Sequence, residues 1–106
     1  VNTEKSFSDY RQKELRLLIL MILSEQSDQR MDSSRLHAGL LYMGFMAEEH
    51  EVVGALQFLQ LHQLIDLRQM GEIRPNLYTA TLRKRGLHVV RGHVHVDGIL
   101  DVVERD

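Results

Sequence analysis

The sequence predicts a mainly α-helical domain carrying one two-stranded β-ribbon. Three observations predict it. Apolar residues recur at helical spacing in three stretches after an unbroken apolar run, two short alternating runs flank a loop holding Gly71, Pro75 and Asn76, and capping residues or glycines separate the stretches. With 106 residues, 43% hydrophobic, the chain has room for one compact domain. Only 6% is aromatic and Trp is absent, so Leu, Ile, Val and five Met must build the core.

Residues 1–7 are mostly polar and are expected to form a flexible N-terminus. A first helix is expected from Ser8 or Asp9, either of which caps a helix start, to about Ser24. Its residues 17–23 are apolar without a break. At about 100° per residue such a run surrounds the helix, which must then be covered on every side. A small domain seldom does that alone. Leu17, Leu18, Leu20 and Met21 are therefore the expected contacts of a homodimer, although which residues of the run face outward is open.

Residues 24–30 are polar and are expected to form a loop. Asp32 or Ser33 then caps a short second helix reaching about Met43, with Leu36, Leu40 and Met43 on one face. Gly44 ends it, because glycine adopts the left-handed conformation cheaply. A third helix is expected from about Ala47 to Gln63. Its Val52, Val53, Ala55, Leu56 and Leu59 fall within an arc of about 160° that faces the core. The opposite arc carries His50, Glu51, Gly54, Gln57, Phe58 and Leu61. Residues 64–69 and 77–81 alternate as strands around the hairpin loop. Thr81 is expected to cap a fourth helix from Leu82 to about Arg91, with Leu82, Val89 and Val90 inward, and Gly92 to stop it. Residues 93–106 remain as a C-terminal extension.

The net charge of −2 is unevenly spread. Between residues 68 and 95, Arg68, Arg74, Arg83, Lys84, Arg85 and Arg91 face a single acid, Glu72, for a local charge of +5. Glu48, Glu49 and Glu51 form an acidic knot, and Asp97, Asp101, Glu104 and Asp106 make the tail acidic. The absence of cysteine excludes disulfides, thiolate metal sites and thiol nucleophiles. Seven apolar residues in a row fall far short of the roughly 18 of a membrane span, and no secretory signal is expected at the N-terminus. A soluble, cytoplasmic domain is the expectation.

Some residues carry this order of elements beyond a fold class. Ser33-Ser34-Arg35-Leu36 opens the second helix, Gly44-Phe45-Met46 makes the turn, and Val52, Leu56 and Leu59 follow. Leu64-Ile65-Asp66-Leu67 enters the ribbon, and Tyr78-Thr79-Ala80-Thr81-Leu82-Arg83-Lys84-Arg85-Gly86 leaves it. Over residues 8–92 the chain resembles a winged helix-turn-helix domain of the ArsR/MarR type, and more loosely the small winged-helix proteins of Mu-like prophages. The resemblance implies a transcriptional regulator that binds double-stranded DNA as a homodimer. The third helix would then lie in the major groove and the ribbon against the backbone. Carried over by position, the DNA-contacting residues are His50, Gln57, Arg68, Arg74, Arg83, Lys84 and Arg85, with Glu51, Gly54 and Phe58 on the same face. Gln57 suits an adenine edge and Glu51 a cytosine amine. The sequence departs from a good reader in one respect. No Arg or Lys lies between Arg35 and Arg68, so the acidic knot would approach phosphate against repulsion.

Plainer readings stand beside these. The three glutamates suit the positive end of a helix dipole, and the basic residues suit an ordinary solvated surface. Gly54 inside a helix costs about 1 kcal/mol against Ala, which points to a close approach by DNA or by another helix. A winged-helix protein–protein module without DNA binding, using Phe58, Leu61 and the acidic helix entry, is accordingly the alternative. His93 and His95, with Asp97 and His88 nearby in sequence, are weak candidates for a metal site, and no cofactor is expected. No nucleophile constellation or phosphate-cradling Gly-rich loop is present, so catalysis is not expected.

Overall fold

The apolar run of residues 17–23 lies in the C-terminal half of the first helix, α1 (Thr3–Glu25), and the other elements pack around it. They are β1 (Arg30–Asp32), α2 (Ser33–Tyr42), α3 (Glu49–Leu61), β2 (Ile65–Gln69), β3 (Tyr78–Leu82) and α4 (Lys84–Val90). The computed structural model describes residues 3–72, 74 and 77–102. Among the described residues there are four helices and one three-stranded antiparallel sheet, ordered β1-β3-β2. Ile73, Pro75 and Asn76 of the hairpin loop, and Glu104, Arg105 and Asp106 of the acidic tail, lie outside the described residues.

Several expected boundaries move. α1 begins at Thr3, ahead of the expected Ser8 or Asp9, so residues 3–7 are helical. A third strand, β1, joins the expected two-stranded ribbon at the end of the segment read as a loop. It pairs with β3 through Arg30–Thr81, Met31–Ala80 and Asp32–Thr79. Its one inward residue, Met31, packs against the core opposite the fully buried Ala80, and this burial draws the segment into the sheet. Thr81 lies inside β3 and does not cap α4. The cap position is Arg83, whose N–H is bound instead to the Leu64 carbonyl at 3.0 Å. Leu82 is buried as expected, but as the last residue of β3.

The helix ends follow local chemistry. Asp32 caps α2 by accepting from the Arg35 N–H at 2.8 Å. Beyond its other end Gly44 takes a φ of 86°, and Phe45 N–H returns to the Leu40 carbonyl at 2.8 Å.

The apolar run on α1 is covered from within the chain. Leu17, Leu18, Ile19, Leu20, Ile22 and Leu23 are each at most 8% exposed, and Met21 alone is half-buried. α2, α3, α4 and β3 all contact this helix. The C-terminal extension supplies the remaining cover. Its Val96, Ile99 and Leu100 are buried, Leu100 N–H donates to the Lys13 carbonyl at 3.2 Å, and Arg16 Nη1 donates to the Gly98 carbonyl at 2.9 Å. Leu17, Leu18 and Leu20 are therefore core residues, not dimer contacts, and the uncovered arc that called for a second copy does not exist.

Candidate nucleic-acid interface

The outward arc of α3 divides into two parts with different neighbours. Glu51 turns toward α1, where Arg11 pairs with it. It also accepts from the Glu48 N–H at 3.0 Å. That backbone bond, followed by the Arg11 contacts, holds the Glu51 carboxyl below the usual carboxylate range against the opposing effect of burial. Arg11 also donates to the Met46 carbonyl and stacks over the Phe45 ring at 4.8 Å. One arginine thus fixes the turn between α2 and α3. Phe58 is likewise occupied. The Arg16 guanidinium lies 3.8 Å from its ring centre, His62 lies 4.2 Å away, and a Cβ on Gly98 would meet Phe58 Cζ at 2.7 Å. Burial pushes the Arg16 pKa down, and its Nε has no hydrogen-bond partner. Glu51 and Phe58 are accordingly removed from the expected contact face.

With Gln60 and Leu61 exposed at the C-terminal end of α3, what remains outward along the rest of it is Glu49, His50, Gly54 and Gln57, beside the half-buried Val53. These last five and Glu48 line a shallow groove of about 480 Å³. A Cβ built on Gly54 meets nothing within 4 Å, so no contact inside the chain requires glycine there.

A second cleft, of about 310 Å³, adjoins this groove and shares Glu49 and Val53 with it. Its other walls are Ser33, Ser34 and His37 of α2, Val52 of α3, and Arg74 and Leu77 of the hairpin connection. Tyr78 N–H donates to the Ser33 Oγ at 3.0 Å, which ties the start of β3 to the first turn of α2. His37 Nε2 lies 2.6 Å from the Ala47 carbonyl and ties α2 to the entry of α3. The face of α3, the N-terminus of α2 and Arg74 thus form one continuous surface.

The other basic residues do not join it. Arg68 lies on the open face of the sheet with Arg30, Asp66, Thr79 and Thr81. Arg83 is 3.9 Å from Asp66, and Arg85 donates to the His62 carbonyl at the end of α3. Lys84 and Arg91 are exposed. The +5 stretch is therefore divided among the hairpin loop, the sheet face and the two ends of α4. Sequence reasoning missed Arg11 and Arg30. Only the alternation Arg30-Met31-Asp32 hinted at Arg30, and three residues are too few to read as a period.

His93 and His95 line one shallow cleft with Asp101, but each is engaged with a different neighbour. His93 faces His88 at 6.2 Å between ring centres. His95 Nδ1 lies 2.7 Å from Asp101 and its Nε2 3.0 Å from Asp97. Among the described residues no group of three or more His, Cys, Asp or Glu is placed to hold a metal ion. The Asp101 carboxylate, then Asp97, raises the His95 pKa. A raised pKa means that this local contribution is complete below the ordinary histidine value and is lost as pH rises through the raised one. An NMR titration of the His95 ring should give a midpoint above that of an unstructured histidine, and Asp101→Asn should return it toward the ordinary value.

Among the described residues no helix is long and apolar enough to cross a membrane. Compared with protein-family models, curated proteins and solved structures, the chain matches none of them.

Proposed function

We propose that this chain is a winged-helix DNA-binding protein acting as a transcriptional regulator in the cytoplasm. One observation carries the reading: the outward face of α3 is continuous with Arg74 and the first turn of α2. Asp32 already caps the first turn of α2, so the attraction for phosphate on this surface comes from the full charge of Arg74 beside it. The backbone would be held there, leaving His50 and Gln57 on α3 to reach base edges in the major groove. Gly54 suits the same role, because its missing side chain lets the groove wall approach. Glu51 is paired with Arg11 and adds little repulsion, whereas Glu48 and Glu49 remain exposed. Binding is therefore weak at physiological salt and strengthens steeply as salt is lowered.

Two variants test the assignment against a panel of duplexes. Gln57→Ala should change preference at one or two base pairs and leave the salt dependence unchanged, because base contacts specify. Arg74→Ala should leave preference unchanged and reduce the slope of log affinity against log salt by about 0.9 per bound protomer. If both variants behave as wild type, α3 and the hairpin loop do not contact DNA.

The competing reading is a winged-helix module that binds protein. Leu61, 80% exposed at the end of α3, favours it, as do the exposed Glu48 and Glu49. Phe58, which would have anchored such a surface, is instead covered by Arg16 and Gly98.

A further inference from the structure

The open face of the sheet carries charge that the α3 surface lacks. Its strand register sets Arg30, Thr81 and Asp66 in one row and Asp32, Thr79 and Arg68 in the next. The alternate residues, Met31, Ala80, Leu67 and Leu82, point into the core. Arg30, Asp66, Arg68, Thr79 and Thr81 line a groove of about 370 Å³ across this face. Both acids of the two rows are already engaged. Asp32 caps α2 and lies 3.4 Å from Arg35, and Asp66 lies 3.9 Å from Arg83. Arg30 Nε donates to the Thr81 Oγ1 at 3.3 Å, and Arg68 has no carboxylate within ion-pair distance among the described residues. Arg30 and Arg68 thus stand at opposite corners of the groove outside any ion pair among the described residues, with two threonine hydroxyls between them.

We infer that the open sheet face, through Arg30 and Arg68, is a second contact surface for the phosphodiester backbone of duplex DNA. The inference rests on the DNA-binding reading above. Its chemistry selects among nucleic acids. Arginine forks and hydroxyls bind phosphate oxygens, whereas sequence-tolerant binding of single strands needs aromatic rings on which bases stack. Neither row of this face contains an aromatic residue. The surface therefore positions a duplex without reading it.

The test is a fluorescence-anisotropy titration of the full chain with a labelled duplex of about 20 base pairs, over a fourfold range of salt. With about four phosphates neutralised per protomer, wild type should lose roughly 150-fold in affinity across that range. Arg30→Ala and Arg68→Ala should each reduce the loss to about 40-fold, the value for three phosphates. Arg30→Lys should keep the wild-type salt dependence, because it keeps the charge; a merely structural role for Arg30 in holding Thr81 would not be rescued this way. The single strand of the same sequence should bind more weakly than the duplex. Wild-type salt dependence in both alanine variants, or tighter binding of the single strand, would overturn the sheet-face contact while leaving DNA binding by α3 intact. Absence of any wild-type binding would overturn the DNA-binding reading and this inference together.

Discussion

Leu20→Ala should destabilise the chain by about 2–5 kcal/mol, the range for truncating a large buried aliphatic side chain. Leu20 is fully buried within the single chain, in the middle of the run that α2, α3, α4, β3 and the C-terminal extension cover. The distinguishing feature is concentration. If Leu20 is core, the shift in the urea midpoint is the same across a hundredfold range of protein concentration. If it lies between two copies, the midpoint rises with concentration, because association is then part of the stability. Equilibrium unfolding at several concentrations separates the two.

Gly86→Ala should cost about 3 kcal/mol, through overpacking. A Cβ at this position would sit 2.4 Å from the Leu64 carbonyl oxygen and 2.7 Å from Leu82 Cδ1. The side chain of Leu82 can turn aside, but the Leu64 carbonyl is backbone and already accepts from the Arg83 N–H. α4 must therefore move away from β2. For a domain of this size the melting temperature should fall by on the order of 10–20 °C. By contrast, Gly54→Ala has open space for its Cβ and removes a helix-interior glycine, so it should stabilise α3 by about 1 kcal/mol. Thermal melts of both variants check the contrast. A DNA-binding assay on Gly54→Ala then asks whether the glycine is kept for an external contact.

The helices were legible wherever a long period met a clear stop. α2 was read nearly to the residue, because Asp32 and Gly44 bracket it and act through local backbone chemistry. Of the arc expected inward on α3, Val52, Ala55, Leu56 and Leu59 are buried, whereas Val53, at its edge, is only half-buried and lines the outer grooves. β1 was not legible, because three residues hold a single inward side chain and its partner strand lies about fifty residues away. The cover of α1 was misread for a related reason. Val96, Ile99 and Leu100 are too few and too scattered to declare a packed segment, so the run on α1 looked exposed when the C-terminal extension closes over it. Within the candidate site, spacing placed His50, Gly54 and Gln57 on one outward face. It did not reveal that Arg11 withdraws Glu51 and that Arg16 withdraws Phe58, because both arginines come from α1, about forty residues earlier. Nor did it show that the basic stretch divides among three surfaces, since neighbours along a hairpin point to opposite faces.

The central question is whether a face with exposed Glu48 and Glu49 approaches DNA at all. The direct measurement is the affinity of the wild-type chain for a duplex as salt is lowered to about 50 mM. With about four phosphates neutralised, log affinity should fall against log salt with a slope of about −3.6 per bound protomer. No detectable binding at the lowest salt would contradict DNA binding, and the exposed glutamates and Leu61 would then belong to a protein-binding surface.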